Sequence, residues 1–178
     1  MFEIASNNKA FGDGQHPTTR MGLAILEAID PAQFTPRIAC DMGCGSGILS
    51  LTIAAKFGCT VVAADLLRES VEATRENAAQ NNLASLVLPI HSDGFRHEEI
   101  ERRAPYDLIV MNILAEPLLA LAADASRLLA GEGVLLLSGI FQWQETQIRE
   151  AYESLGLELT SRLTSGDWAA LVLQKPAA

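Results

Sequence analysis

Seven residues, Asp41-Met42-Gly43-Cys44-Gly45-Ser46-Gly47, concentrate the features a ligand loop needs. Glycines let a chain turn sharply and let a ligand come close to the main chain. Where such a turn enters a helix, the exposed N–H groups favour the negative end of a bound molecule. Dinucleotide-binding turns favour G-x-G-x-x-G, which after Gly43 and Gly45 requires glycine at position 48. That position is Ile48, so the spacing argues against a nicotinamide oxidoreductase. Three further polar residues lie where ligand contacts belong in a parallel α/β protein. Asp65 stands 22 residues after Gly43, where a ribose-binding acid belongs, although a plain strand-end acid fits the position alone. Asp93, in Ser92-Asp93-Gly94, reads as a ligand contact or as a turn-forming Asp. Asn112 follows an apolar run and reads as a group facing the ligand crevice or as a helix cap ahead of Pro117.

The elements that must hold these residues follow from the hydrophobic pattern. Pro17 suits a helix start, and Met21, Ile25, Leu26 and Ile29 recur at helical spacing up to Asp30-Pro31. Strands are expected at 37–41, 60–65, 86–90, 106–111 and 133–138, with helices at about 47–57 and 67–81. Pro89 marks the third strand as weak or irregular. The runs 157–162 and 168–174, joined through Thr164-Ser165-Gly166-Asp167, predict a closing hairpin. The expected fold is α/β: a doubly wound, mostly parallel, seven-stranded Rossmann-like sheet with a C-terminal antiparallel hairpin, in one domain over residues 1–178.

The pattern D-x-G-x-G-x-G resembles the first motif of class I methyltransferases, whose cofactor is S-adenosylmethionine. Together with Phe11-Gly12-Asp13-Gly14-Gln15-His16-Pro17-Thr18-Thr19, Asn112-Ile113-Leu114-Ala115, Leu137-Ser138-Gly139-Ile140 and the Asp167-Trp168 hairpin, it resembles one family closely. That family is the methyltransferase of large-subunit ribosomal protein eleven (PrmA). The resemblance implies that Thr19, Gly43, Asp65 and Asn112 contact the cofactor. It brings Asp41 within reach of the cofactor's ammonium group, Cys44, Gly45 and Gly47 into its loop, and Asp93 to its adenine. It also implies that the Phe11–His16 loop, in the N-terminal segment 1–16, closes over the cofactor. The family carries a separate N-terminal domain that recognises its substrate, whereas ten residues precede the shared motif in this sequence. Asp13 stands where threonine is common, and Glu116 where glycine is usual. Glu116 beside the reaction centre would attract a cationic substrate; as a first-turn acid it would simply favour its helix.

Methyl transfer depends mainly on orientation, worth about 7–11 kcal/mol in favourable cases. The expected catalytic residue is Asn112, holding a neutral nitrogen in line with the methyl group. His16 reads as a helix-start element in preference to a general base. Phe141 and Trp143 are candidates for an acceptor pocket or for core packing. The expected activity is N-methylation of an amine on a protein. The alternatives are a small-molecule amine methyltransferase and a non-catalytic cofactor-binding partner subunit.

Composition bounds the partners. With 22 acidic against 13 basic residues the net charge is −9, and scattered Arg residues make no patch, so nucleic acid is disfavoured. Cys40, Cys44 and Cys59 form neither a disulfide framework nor a metal motif, and no metal is expected. The longest apolar runs are strand-length, there is no secretory pattern at the N-terminus, and a cytoplasmic protein with no membrane partner is expected.

Overall fold

In the computed structural model, residues 2–4 and 14–177 are described. The segment 11–13, on which part of the expected covering loop falls, lies outside them. The chain runs α1 (Pro17–Ala28), β1 (Ile38–Met42), α2 (Ile48–Phe57), β2 (Thr60–Asp65), α3 (Arg68–Gln80), β3 (Val87–His91), α4 (Glu98–Arg103) and β4 (Tyr106–Asn112). It continues α5 (Ala115–Leu128), β5 (Leu129–Phe141), a short 3-10 turn (Gln142–Gln144), α6 (Glu145–Glu153), β6 (Glu158–Ser165) and β7 (Trp168–Gln174).

The seven strands form one sheet in the order β3-β2-β1-β4-β5-β7-β6, parallel from β3 to β5 and antiparallel at β7 and β6. Strand alternation divides the core in two. Cys40, Val62, Ile109 and Leu135 point to a cluster with Leu118 of α5 and Ile148 and Tyr152 of α6. Ala39, Val61, Leu108 and Leu136 point to one with Leu26 of α1, Leu51 and Ile53 of α2 and Ala78 of α3. Both faces are covered, which is why β1, β2 and β4 read as largely apolar runs.

Local chemistry sets the helix limits. His16 caps α1 by accepting from the Thr18 N–H, and Pro17 fills the first turn. Lys56 of α2 reaches the carbonyls of Leu26 and Glu27 at 2.9 and 2.6 Å, satisfying the open end of α1. Pro89 lies on β3, the edge strand, where a missing donor is tolerated. Several features differ from the sequence expectation, and α5 and α6 lie outside the helix ranges expected from the sequence. The six-residue α4 is too short to show a period. β5 begins at Leu129 because residues 130–133, glycine-rich and turn-like, form an irregularity inside the strand. Glu132 there takes φ 61°, and Lys175 pairs with the Glu132 N–H and the Gly133 carbonyl.

Residues 2–4 are tied to Asn81, at the end of α3 remote from Asp65: the Glu3 N–H donates to Asn81 Oδ1 at 3.0 Å and Asn81 Nδ2 returns a bond to the Glu3 carbonyl. Across the other face, Tyr152 Oη donates to the Leu118 carbonyl at 2.7 Å, joining α6 to α5 in full burial. Tyr152→Phe should remove this bond while the Leu118 carbonyl keeps its partner within α5, and lower unfolding free energy by about 0.5–1.5 kcal/mol, with midpoint displaced and slope unchanged in urea titration.

Candidate functional site

Gly43, Gly45, Asp65, Asp93 and Asn112 lie at the carboxyl ends of the parallel strands, where the strand order reverses between β1 and β4. The glycine loop leaves β1 under tight restraint. The Gly43 and Cys44 N–H groups donate to the Ala64 carbonyl at 2.8 and 3.1 Å, and the Gly47 N–H to the Cys44 carbonyl at 2.8 Å. Asp65 clasps the loop from the end of β2: Oδ2 accepts from the Gly45 N–H at 3.0 Å, and Oδ1 from the Leu67 N–H at 2.9 Å. From behind, Thr74 Oγ1 donates to the Gly45 carbonyl at 3.0 Å and contacts Cys44 Sγ, while Asn77 Nδ2 donates to the Ser46 carbonyl at 2.8 Å. Thr74 and Asn77 were not singled out by sequence reasoning. Their signal is two polar residues, three positions apart, on the buried side of a helix whose other side is charged.

The loop opens onto a cavity of about 510 Å³. Gly43, Gly45, Asp65, Asp93 and Asn112 share its wall, with Leu66, Leu67 and Leu121 supplying apolar surface. Asp41, Cys44, Gly47 and Thr19 do not reach that wall. Asp41 is buried on the side facing α2, where Oδ2 accepts from Ser50 Oγ at 2.6 Å and Oδ1 has no partner. Thr19, also buried, accepts a hydrogen bond from Asn112 Nδ2 at 3.3 Å.

A second cavity, of about 430 Å³, lies on the other side of Asn112. Its polar wall residues are His16, Thr18 and Asn112; Ile113, Leu114, Pro117 and Trp168 make it largely apolar. Asn112, Ile113 and Pro117 belong to both cavities. The Asn112 amide oxygen is shut off from solvent with no hydrogen-bond partner. Asn112 does not cap α5, whose N-cap is Leu114 without a side-chain bond. Ile113, next to it, fixes the turn. Gly43 at φ 82° and Gly139 at φ 85° both face it, and a Cβ on either would collide, with the Ile113 side chain and the Ile113 carbonyl respectively.

The remaining candidates find distinct places. His16 Nδ1 is 2.8 Å from Thr18 Oγ1, consistent with a helix-start role, and its ring stands edge-on to Trp168. Glu116 is an exposed acid in the first turn of α5. Phe141 and Trp143 lie outside the wall of the second cavity, and Trp143 is 78% exposed rather than packed in a core. All three cysteines are free and buried. Burial pushes the Cys40 and Cys44 thiols up, so neither supplies a thiolate. Among the described residues no group of His, Cys, Asp and Glu could hold a metal, and no helix is long and apolar enough to cross a membrane.

Burial raises the Asp41 carboxyl to about 6; the Ser50 bond opposes this and the nearby Asp65 charge adds to it. The folded chain therefore keeps a proton that the unfolded chain releases near 3.8. Stability from this group is full below that value and declines as pH rises through 6, by about 3 kcal/mol. Asp41→Asn should flatten that decline relative to the parent chain in urea titrations across this range. An unchanged pH profile would contradict the assignment.

Comparison with known proteins gives the family. Residues 8–176 match the family described as Ribosomal protein L11 methyltransferase (PrmA). The ribosomal protein L11 methyltransferase of Caulobacter sp. (strain K31) is 36% identical over 167 residues, covering 94% of this chain and 57% of that protein. That of Rhodopseudomonas palustris (strain BisB5) is 36% identical over 166 residues, covering 93% of this chain and 56% of that protein. The chain thus spans little more than half the length of these curated relatives. A crystal structure of ribosomal protein L11 methylase from Lactobacillus delbrueckii subsp. bulgaricus superposes with a TM-score of 0.81 at 32% identity, over 94% of this chain and 81% of that one. The N-methyltransferase NodS from Bradyrhizobium japonicum WM9, at 14% identity and a TM-score of 0.73 over 98% of this chain and 95% of that one, shares the fold alone. This chain, with its Rossmann-like methyltransferase sheet, belongs to the ribosomal protein L11 methyltransferase (PrmA) family.

Proposed function

We propose that this chain is an S-adenosylmethionine-dependent methyltransferase acting on an amine nitrogen of a protein. The observation that carries the reading is the position of Asn112, on a wall shared by two cavities, with its amide oxygen unpartnered. A buried acceptor without a donor costs about 1–3 kcal/mol, and an amine N–H in the second cavity would relieve it.

The larger cavity suits the cofactor in size and chemistry. Its volume is in the range of small-molecule sites, with apolar walls and few polar groups. Each Asp65 oxygen accepts one backbone N–H and retains acceptor capacity for a ribose hydroxyl. Gly43 and Gly45 give close main-chain approach, and Asp93 offers a carboxylate at the far wall for an exocyclic amine. Asp41, Cys44, Gly47 and Thr19 serve from behind: Asp41 and Cys44 through the loop's own bonds, Gly47 at the turn into α2, and Thr19 by holding the Asn112 amide. When bound, S-adenosylmethionine supplies a methyl group on an activated sulfonium. The chain's task is to exclude water and to orient a neutral nitrogen. His16, in the wall of the second cavity, supports a covering role for the N-terminal loop. A protein acceptor matches the ribosomal protein for which the relatives are named, and the buried free thiols fit a reducing cytoplasm.

Calorimetry with S-adenosylmethionine and S-adenosylhomocysteine should show binding of both, lost in Asp65→Ala. A well-folded chain that binds neither would refute the cofactor reading. In transfer assays on amine-bearing peptides, Asn112→Ala should lower kcat by about 100-fold while changing cofactor affinity far less. Equal loss of both would contradict the division of labour, and cofactor binding without transfer to any amine would leave a non-catalytic binding protein.

A further inference from the structure

Trp143 presents its indole to solvent, 78% exposed, yet the ring is held in place. It lies nearly parallel to Phe141, with centroids 6.3 Å apart and planes 11° from each other. Phe141 stacks on Trp168 at 4.1 Å, and Trp168 stands edge-on to His16 at 5.1 Å. Trp168 and His16 belong to the second cavity. A continuous aromatic run thus leads from solvent to the place proposed for the methylated nitrogen.

At its outer end lies a separate hollow of about 480 Å³, walled by Phe141, Gln142, Trp143 and Asp167. The turn carrying Asp167 is fixed in position. The Gln142 N–H donates to the Asp167 carbonyl at 2.8 Å, and Gln142 Nε2 to the Gly166 carbonyl at 2.7 Å. Among the described residues no ion pair involves Asp167. The neighbouring cation, Arg162, is engaged by Glu145 at 2.6 Å and only approaches Gln142 Oε1, at 3.4 Å. The hollow therefore combines aromatic faces with an exposed, unpaired carboxylate, the pairing that attracts an ammonium or a stacked guanidinium.

We infer that this hollow is a second subsite, which takes a lysine or arginine side chain of the acceptor polypeptide near the methylated amine. The inference rests on the amine-transfer reading above and adds what selects the acceptor. Charge decides the occupant: a second copy, also at −9, would be repelled, whereas a basic segment is attracted.

The test uses pairs of short peptides with the same free amino-terminal amine. One of each pair carries arginine and the other glutamine, with that residue walked along successive positions. Binding to the chain saturated with S-adenosylhomocysteine is read by intrinsic fluorescence, to which Trp143 and Trp168 are the two contributors. At one or more positions the arginine peptide should bind about tenfold more tightly. Asp167→Asn and Trp143→Ala should each erase the difference without changing S-adenosylhomocysteine affinity. KM in transfer assays should follow the same ratio at constant kcat. Equal binding of both peptides at every position, or a preference that survives both substitutions, would overturn the subsite. Arginine-dependent binding without transfer would uphold the subsite and overturn the amine-transfer reading. Transfer to both peptides with equal KM would do the reverse.

Discussion

The turn from β4 into α5 depends on the absence of two methyl groups. Ile113 is wedged between Gly43, on the loop after β1, and Gly139, in the irregular part of β5. Both glycines take positive φ, a conformation that costs most other residues free energy. Three strand ends are thereby brought closer than side chains would permit, and Asn112 is delivered to the seam between two cavities. Its amide is then fixed by Thr19 of α1, and α1 in turn by Ser138 of β5, whose Oγ donates to the Thr18 carbonyl at 3.1 Å. The orientation of this one amide thus rests on backbone geometry contributed by β1, β4, β5 and α1.

The glycine loop poses the opposite problem. Glycines lose the most backbone entropy on ordering, so a loop built from them must be held by its neighbours. Asp65 ties it to the start of the β2–α3 connection, and Thr74 and Asn77 take up the carbonyls of Gly45 and Ser46. Each of these bonds satisfies a main-chain group that would otherwise be buried alone. The buried polar face of α3 is therefore part of the site, although no residue on that face except Ser70 reaches the larger cavity.

What could be read from the sequence follows the range of the forces involved. Strands buried on both faces, helices with a proline start or a glycine stop, and the motif at Asp41–Ile48 are local signals, and they place α1, α2, α3 and the parallel strands to within a few residues. The opening of β5 escaped because its glycine-rich residues 130–133 resemble a turn that only tertiary pairing with Lys175 turns into a strand. The side-chain partners were less legible still. Asp41 and Asp65 are similar carboxylates at the ends of adjacent parallel strands, yet one faces Ser50 and the other the cavity. Asp41 pairs with Ala63, so both carboxylates share one face of the sheet; the difference is that Asp65 lies two residues further along, beyond the end of β1, which no motif reports. Ile113, by contrast, sat inside a quoted motif, and its importance becomes visible only when Gly43 and Gly139 meet it in space.

On the proposed reading, these placements also bear on proton handling. An alkylamine in water is protonated and has no lone pair to give. Burial in a low-dielectric site disfavours the charged form and pushes an amine toward neutrality. The second cavity provides that environment, with only His16, Thr18 and Asn112 as polar wall residues among the described residues. His16 engages Thr18 at the start of α1 through Nδ1, so its position is explained without a role as base. An attracting carboxylate inside the cavity would work against transfer by holding the ammonium form. Among the described residues the geometry keeps these acids apart from it: Asp41 is buried behind the glycine loop, Asp65 and Asp93 wall the other cavity, and Asp167 lies at the outer hollow. Cationic attraction is thus confined to the approach, while at the reacting nitrogen the unpartnered oxygen of Asn112 accepts one N–H and leaves the lone pair for the methyl group.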